Sequence, residues 1–530
     1  MCLGLAPGNP AAGAGRPATA PAVKVSDPPV SSSQSVIAPA AGPPVAARST
    51  RAVVTTLAGA GVIVTIMGTV IVPLIPSLPT LLHTSTADAS WAITATLLAG
   101  AVAMPVAGRL GDLHGKRRVL VASTWIMVAG SVLCALTSSL APVAAGRALQ
   151  GVGMAAVPLG ISIMRDVLPP ARLGAAIAVM SSSFGVGGAL GLPVSALIAQ
   201  SMSWHALFWM CAGAGAVFAI LVRIVVPESP VRAGGRFDVL GAVGLSGGLL
   251  ALLLAITKGS AWGWGSAPTL SLLAAAVIVL GLWGLFETRL DAPLVDLRAT
   301  ARRQVLLTNL AGLVVGFSMY AIAIVTPQVL QLPAATGYGL DQSMLAAGLW
   351  MAPGGLAMMA IAPFTARLTA ARGPKATLLV GTGVIALAYV AGLGLIGSPA
   401  GVMLFALLNN CGVAFAYASM PALIMSAVPL SQGASANALN SLSRSIGMST
   451  ASAVVAVVLA HFTVPLGAAA VPSLTGIRVC LILGAVVAGV AGLVALALPG
   501  RPRVAGPASA APLAGVGEPA PSTPSTTATA

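Results

Sequence analysis

The chain has 530 residues, of which 57% are hydrophobic and only 7% charged. A water-soluble domain carries about 25% charged residues and about 45–50% apolar ones, so a soluble enzyme, a coiled coil and a secreted disulfide scaffold are excluded, and an all-α integral membrane protein is expected. The formal charge of +15 is scattered in short groups between apolar runs, as in membrane loops. Nucleic acid would need one clustered basic face, so the lipid bilayer is the expected partner and nucleic acid is not.

Residues 1–50 are rich in Ala, Pro, Gly and Ser, and residues 499–530 end in PSTPSTTATA. Both stretches lack large apolar residues to bury and are expected to be disordered tails. No apolar signal-peptide core stands within the first fifty residues. Between the tails, with about 20 apolar residues needed per crossing, the apolar runs predict spans at 52–75, 91–107, 119–138, 141–164, 173–199, 206–226 and 239–257. A second set follows at 267–286, 305–326, 344–364, 376–396, 401–428, 434–460 and 477–498, which makes fourteen.

Charge placement tests that count. With the N-terminus in the cytoplasm, 22 of the 26 basic residues fall in the two tails or in the loops after spans 2, 4, 6, 8 and 10. Lys258 and Arg478 fall outside, and Arg147 and Arg444 lie within spans. Basic residues stay on the cytoplasmic side, and a miscount by one helix would destroy the asymmetry. Both termini are therefore expected in the cytoplasm of a multi-pass protein of the bacterial inner membrane.

An internal repeat divides the chain. GRLGDLHGKRRVL from Gly108, after span 2, matches ARLTAARGPKATL from Ala366, after span 10, through Arg109 and Arg367, Leu110 and Leu368, Gly115 and Gly373, and Arg117 and Lys375. Two parallel six-helix halves with a substrate site between them suit a secondary transporter. The expected organisation is an N-terminal half at 51–236, two linker helices at 237–298 and a C-terminal half at 299–498.

The loop at Gly108, Asp112, Gly115, Lys116 and Arg117 is a short basic turn punctuated by glycine, in which Asp112 can pair with Arg117 or with a helix N-terminus. It resembles the signature loop of the major facilitator superfamily, which implies a cytoplasmic latch. The span 4 stretch AAGRALQGVGMAA, through Arg147, Gln150, Gly151 and Gly153, resembles that superfamily's span 4 motif and implies a role in proton coupling or substrate charge. An arginine within a span costs roughly 2.5–3.5 kcal/mol on insertion scales, so Arg147 either faces a cavity or partner or snorkels toward the outer surface.

Gly187, Gly191 and Pro193 on span 5 resemble the antiporter motif of the superfamily, though Leu192, Ser195 and Ala196 depart from it. The alternative is helix packing through small residues. FDVLGAVG at span 7, KGSAWGWGS before span 8, ETRLDAPLVDLR after it, GLWMAPGG on span 10 and NALNSLSRSIG on span 13 resemble the fourteen-span drug:proton antiporters. That likeness covers roughly residues 52–498 and implies efflux of drugs, antibiotics or related lipophilic compounds by alternating access.

One departure bears on coupling. Where that family carries an Asp and an Asn in span 1, this chain, aligned on Thr69 and Pro76, has Met67 and Val72. None of the eleven acidic residues is expected deep in a span, so a proton partner is implied by resemblance alone. Cys2, Cys134, Cys211, Cys411 and Cys480 show no paired spacing, and the four histidines are dispersed. No metal, cofactor or enzymatic activity is expected, and GDLHGKR lacks the hydroxyl residue of a phosphate-binding loop.

Met67, Thr69, Tyr320, Trp350, Asn409, Asn410, Tyr417 and Arg444 are the candidate lining of a cavity for a small molecule, since soft and aromatic walls accept bulky apolar ligands. The expected protein is a monomeric exporter. A carrier of one specific metabolite and a non-transporting membrane scaffold are the alternatives.

Overall fold

The computed structural model describes residues 49–499 except 72, 73, 75–77, 90, 291, 292, 467 and 468. The expectations for the two tails, save residues 49, 50 and 499, and for Val72, Pro76 and Asp291, lie outside the described residues. Within them, fourteen helices are long and apolar enough to cross a membrane. The first six are span 1 (Thr50–Thr69), span 2 (Trp91–His114), span 3 (Lys116–Ala135), span 4 (Leu140–Val167), span 5 (Pro170–Ser201) and span 6 (His205–Val225). Two more follow, span 7 (Val239–Trp262) and span 8 (Ala267–Glu287). The last six are span 9 (Arg303–Gln331), span 10 (Met344–Arg372), span 11 (Pro374–Leu395), span 12 (Pro399–Ala427), span 13 (Gly433–His461) and span 14 (Leu474–Leu496).

Side-chain caps and N-terminal prolines start many of these helices. Away from the basic loops, Ser266, Ser343, Ser398 and Ser473 cap spans 8, 10, 12 and 14, each accepting from the backbone N–H three residues on. At the basic end, Pro170 and Pro374 open spans 5 and 11 at positions where a missing N–H costs nothing. Span 4 tightens to a 3-10 turn at Gly153–Ala155.

Two local expectations are corrected. The segment from Gly108 to His114 is not a loop: span 2 continues through it, and Gly115 alone makes the turn, at φ +109°. Span 10 likewise runs on to Arg372 and turns at Gly373, φ +88°. Charged residues do not end these helices, because a helix satisfies its own backbone and leaves only side chains to be paired. The second correction is a hairpin missing from the sequence reading: β1 (Thr463–Leu466) pairs antiparallel with β2 (Ala469–Pro472), Thr463 opposite Pro472, between spans 13 and 14.

Leu57, Leu120, Met127, Leu159, Ile163 and Phe208 belong to one buried cluster drawn mainly from spans 1–6. Val315, Ile385, Tyr389, Phe405 and Leu481 belong to another from spans 9–14. Spans 7 and 8 pair with each other, and Leu245, Leu249 and Leu253 of span 7 pack with Leu98 and Ala101 of span 2 and Leu442 of span 13. The inserted pair therefore lies over the seam where the two six-helix sets meet. The sets also meet along spans 5 and 10, where a Cβ on Gly185 would stand 2.5 Å from Met358 Cβ.

Close approach also holds each set together, since helices in lipid associate through small residues. A Cβ on Gly151 of span 4 would lie 2.9 Å from the backbone nitrogen of Gly100 on span 2. Gly151→Val is expected to cost on the order of 1–3 kcal/mol, the usual range for overpacking, and to lower the midpoint of thermal aggregation in detergent. Gly188→Val, where nothing lies within 4 Å of the added carbon, should leave that midpoint near wild type.

Candidate functional site

At the basic end, Asp112 on the last turn of span 2 is 0% exposed. Its Oδ1 accepts from the backbone N–H of Ala434 at 3.1 Å, and its Oδ2 accepts from that of Ser435 at 2.8 Å and from the Ser435 hydroxyl. Those two N–H groups open span 13, whose N-cap, Gln432, makes no side-chain cap of its own. A helix start leaves four N–H groups without partners and carries partial positive charge. Asp112 supplies the missing cap from another part of the fold.

Gly108, one turn earlier, allows the approach: a Cβ there would stand 2.8 Å from Ala438 Cβ and 3.0 Å from the Ala434 carbonyl. Lys116, fully buried, lies 3.6 Å from Asp112 Oδ1 and donates to Asp166 Oδ2 at 2.5 Å. Asp166 also accepts from the Ser229 hydroxyl at 2.5 Å. Of the two partners the sequence left open for Asp112, the helix N-terminus is the one present. Arg117 pairs elsewhere, its backbone N–H donating to Glu228 Oε1 at 3.0 Å with Nε 3.7 Å from Oε2. Gly115 lies against the same Glu228 carboxyl.

Asp166, Glu228, Ser229 and Ser435 complete this network and were not among the candidate residues. For Asp166 and Glu228 the one signal was an acidic residue within a basic loop; Ser229 and Ser435 had none. Arg165 was also missed; its guanidinium crosses to the end of span 12, donating to the carbonyls of Met425 at 2.5 Å and Val428 at 3.1 Å. The Asn437 amide on span 13 donates to the Pro158 carbonyl of span 4 at 3.1 Å.

Arg147 turns inward and does not snorkel, being 1% exposed. Its Nε donates to the Ala92 carbonyl at 2.8 Å, and one terminal nitrogen donates to the Met67 carbonyl at 3.0 Å and to Gln150 Oε1 at 2.7 Å. Gln150 in turn donates to the Ser131 hydroxyl at 2.8 Å. Spans 1, 2, 3 and 4 are thereby braced on one guanidinium.

A second arginine lies deep in the other set. Arg444 donates to Asn440 Oδ1 at 2.7 Å and to the Ser441 hydroxyl at 2.9 Å, and lies 4.7 Å from the centre of the Tyr417 ring. Such a cation over an aromatic face is attracted by the ring quadrupole. Tyr417 packs edge-on against Phe184 of span 5, ring centres 5.4 Å apart, and its hydroxyl donates to Met319 Sδ at 3.1 Å.

The other candidates are dispersed. Met67 is buried in the core, and Thr69 returns its hydroxyl to its own helix while facing Gly191. Gly187 and Gly191 seat span 5 on span 1, whereas Pro193 lies beside Gly348 of span 10. Trp350 is tied to Gln342 at 3.1 Å, and Asn410 to the Ala406 carbonyl at 2.9 Å. Asn409 is buried with neither amide atom partnered. Tyr320 is half-buried on span 9. Among the described residues no three His, Cys, Asp or Glu side chains gather as a metal site.

Twelve apolar helices in two sets of six, with an inserted pair, joined at one end by a shared helix cap and further hydrogen bonds, define a multi-pass membrane protein of the transporter class. The family model described as Major Facilitator Superfamily matches residues 57–452, and the chain belongs to that superfamily, a family of transporters and not of enzymes. An uncharacterized MFS-type transporter of Mycobacterium tuberculosis is 32% identical over 326 residues, 60% of this chain and 47% of that protein. The tetracenomycin C resistance and export protein of Streptomyces glaucescens is 34% identical over 224 residues, 42% of each chain. The matched stretches thus span about half the length of these two relatives. The multidrug resistance protein Stp of Mycobacterium tuberculosis is 27% identical over 386 residues, 70% of this chain and 68% of Stp. The human organic anion transporter MFSD10 shares the fold, with a TM-score of 0.59 and 18% identity over 84% of this chain and 99% of that one.

Arg147→Met would leave two carbonyls and Gln150 without their buried donor, at about 1–3 kcal/mol for each such group. The expected result is a clear loss of thermal stability in detergent. Arg147→Lys, with its three donors in place of the planar fork, should recover only part of it.

Proposed function

We propose that the chain is a proton-coupled secondary exporter of drugs, antibiotics or related lipophilic compounds in the bacterial inner membrane. It acts as a monomer with both termini cytoplasmic, and spans 1–6 rock against spans 9–14. The observation that carries this reading is Asp112, which belongs to one six-helix set and caps span 13 of the other. A helix cap shared between two bodies is a gate, since separating them exposes both the carboxylate and the helix start to water. Arg165 of span 4, bonded to Met425 of span 12, and Asn437 of span 13, bonded to Pro158 of span 4, add two more links across the same division. The named functions of the Streptomyces glaucescens export protein and of Stp favour efflux of bulky organic compounds.

In this reading Gly108 permits the close approach, while Lys116, held by Asp166, offsets part of the buried charge of Asp112. Arg117 and Gly115 fasten the turn to Glu228. Arg147 and Gln150 act in coupling or sense substrate charge, Gly187, Gly191 and Pro193 shape span 5, and Tyr417 and Arg444 face the substrate path.

Ethidium efflux from pump-deficient bacteria, with and without a protonophore, tests the activity. Protonophore-sensitive efflux is expected; none, with the protein present in the membrane, would overturn the exporter reading. For the gate, a charge-assisted hydrogen bond is worth about 1.5–3 kcal/mol, about tenfold or more in an equilibrium. Asp112→Asn should therefore lower efflux without lowering membrane abundance. It should also raise the labelling rate of Ala438→Cys, buried against Gly108, by about tenfold with a thiol reagent added from the cytoplasmic side.

A further inference from the structure

A different group of unpartnered polar atoms lies at the basic end of the inserted pair. Asp238 caps span 7, its Oδ1 accepting from the Gly241 N–H at 2.8 Å. Glu287 closes span 8; it is 2% exposed, and its Oε2 accepts from the Leu294 N–H at 3.0 Å. The remaining oxygen of each carboxyl, Asp238 Oδ2 and Glu287 Oε1, is buried with no donor. Both border one small gap: a Cβ added to Gly241 would run into Asp238 Oδ2 and stand 2.6 Å from Glu287 Oε1. Trp283, one turn before Glu287, has its indole nitrogen buried and turned to the Glu287 carboxyl.

Among the described residues no ion pair reaches Asp238 or Glu287. Arg236, Arg289 and Arg298 beside them in sequence are exposed. From span 2, Asp112 is committed to span 13 and Lys116, while Arg109 lines a cavity of about 210 Å³ bordered by Leu294, Val295 and Asp296, and makes no ion pair with Asp238 or Glu287. From span 13, Arg444 is held by Asn440 and Ser441. Asp296, just beyond Glu287, caps the short helix Leu297–Thr300.

Two carboxylates that share a buried gap cannot both ionise without a large Coulomb and desolvation cost. A proton removes that cost by turning one oxygen into a donor for the other, so both unpartnered atoms are satisfied at once. A metal ion does not fit as well, since Ca²⁺ takes 6–8 oxygen ligands and only two oxygens are free.

We propose that Glu287, facing Asp238 across this gap, binds a proton at neutral pH and holds it toward the Asp238 carboxylate, a proton-binding site in the inserted helices and outside both six-helix sets. The proton ties the start of span 7 to the end of span 8. Through the Glu287 bond to Leu294 it also holds Leu294 and Val295 in the buried cluster that spans 2 and 13 share with span 7. The site does not depend on what the chain transports, or on whether it transports.

Infrared spectroscopy of the full chain in phosphatidylcholine nanodiscs tests it by counting protonated carboxyl C=O stretches at neutral pH. A band is expected in the wild type, lost in both Glu287→Gln and Asp238→Asn, and lost from the wild type on raising the pH. A wild-type spectrum whose band neither substitution removes would overturn the proposal. So would loss in Glu287→Gln alone, which would indicate a single buried acid and no part for Asp238. Loss of the wild-type band at constant pH on adding Na⁺ or Ca²⁺ would make this a metal-cation site and overturn it as well. Size-exclusion profiles matching wild type show that the near-isosteric variants are folded.

Discussion

Asp112 carries a carboxylate to a place without water, and there it meets the unsatisfied start of another helix. Each needs the other: a buried charge without a partner is costly, and span 13 begins with a residue that provides no cap. Lys116, which Asp112 shares with Asp166, offsets part of the remaining charge. Neither six-helix set is complete at this end alone. Opening replaces each protein bond with one to water, so the net cost of separation stays at a few hydrogen bonds and not at the full price of a buried ion.

The rest of the division is of another kind. Along spans 5 and 10 the contacts are Gly185 against Gly355 and Met358, and Pro193 against Gly348. Burial from water does not drive helix association inside lipid, where packing and hydrogen bonds remain. Small-residue packing of this sort is lost by a modest tilt and regained by its reverse. The directional contacts of Asp112, Arg165 and Asn437 are made or broken as discrete events. The division thus combines discrete bonds at its basic end with adaptable small-residue packing along spans 5 and 10.

The helices were legible because composition and basic-residue placement answer to the membrane itself: fourteen apolar runs, each long enough to cross, are a property of local sequence. The helix ends were less so. Span 2 outlasts its apolar run by nearly two turns because Arg109 and Asp112 are buried against other elements, and nothing within span 2 announces them. Asp112 was legible as a residue of interest, but not its partner, which stands 322 positions later. Arg147 posed a choice between inward and outward directions that depends on where the carbonyls of Met67 and Ala92 lie. The hairpin at 463–472 was hidden because its short runs carry no alternation strong enough to stand out between two apolar spans.

The two deep arginines show how unlike the halves have become in use. Guanidinium keeps its charge under nearly all conditions and offers five donors in a plane, so it can be buried among neutral acceptors where lysine would lose its proton. Arg147 spends those donors on spans 1, 2 and 4, and through Gln150 reaches span 3. All of these lie in one six-helix set, so its surroundings move as a unit when the sets separate. Arg444 is held by its own helix and by a tyrosine ring of span 12, and that ring rests on Phe184 of span 5. Any motion between the sets shifts Phe184 relative to Tyr417. The surroundings of Arg444 therefore reach across the division between the sets, while those of Arg147 lie within one set.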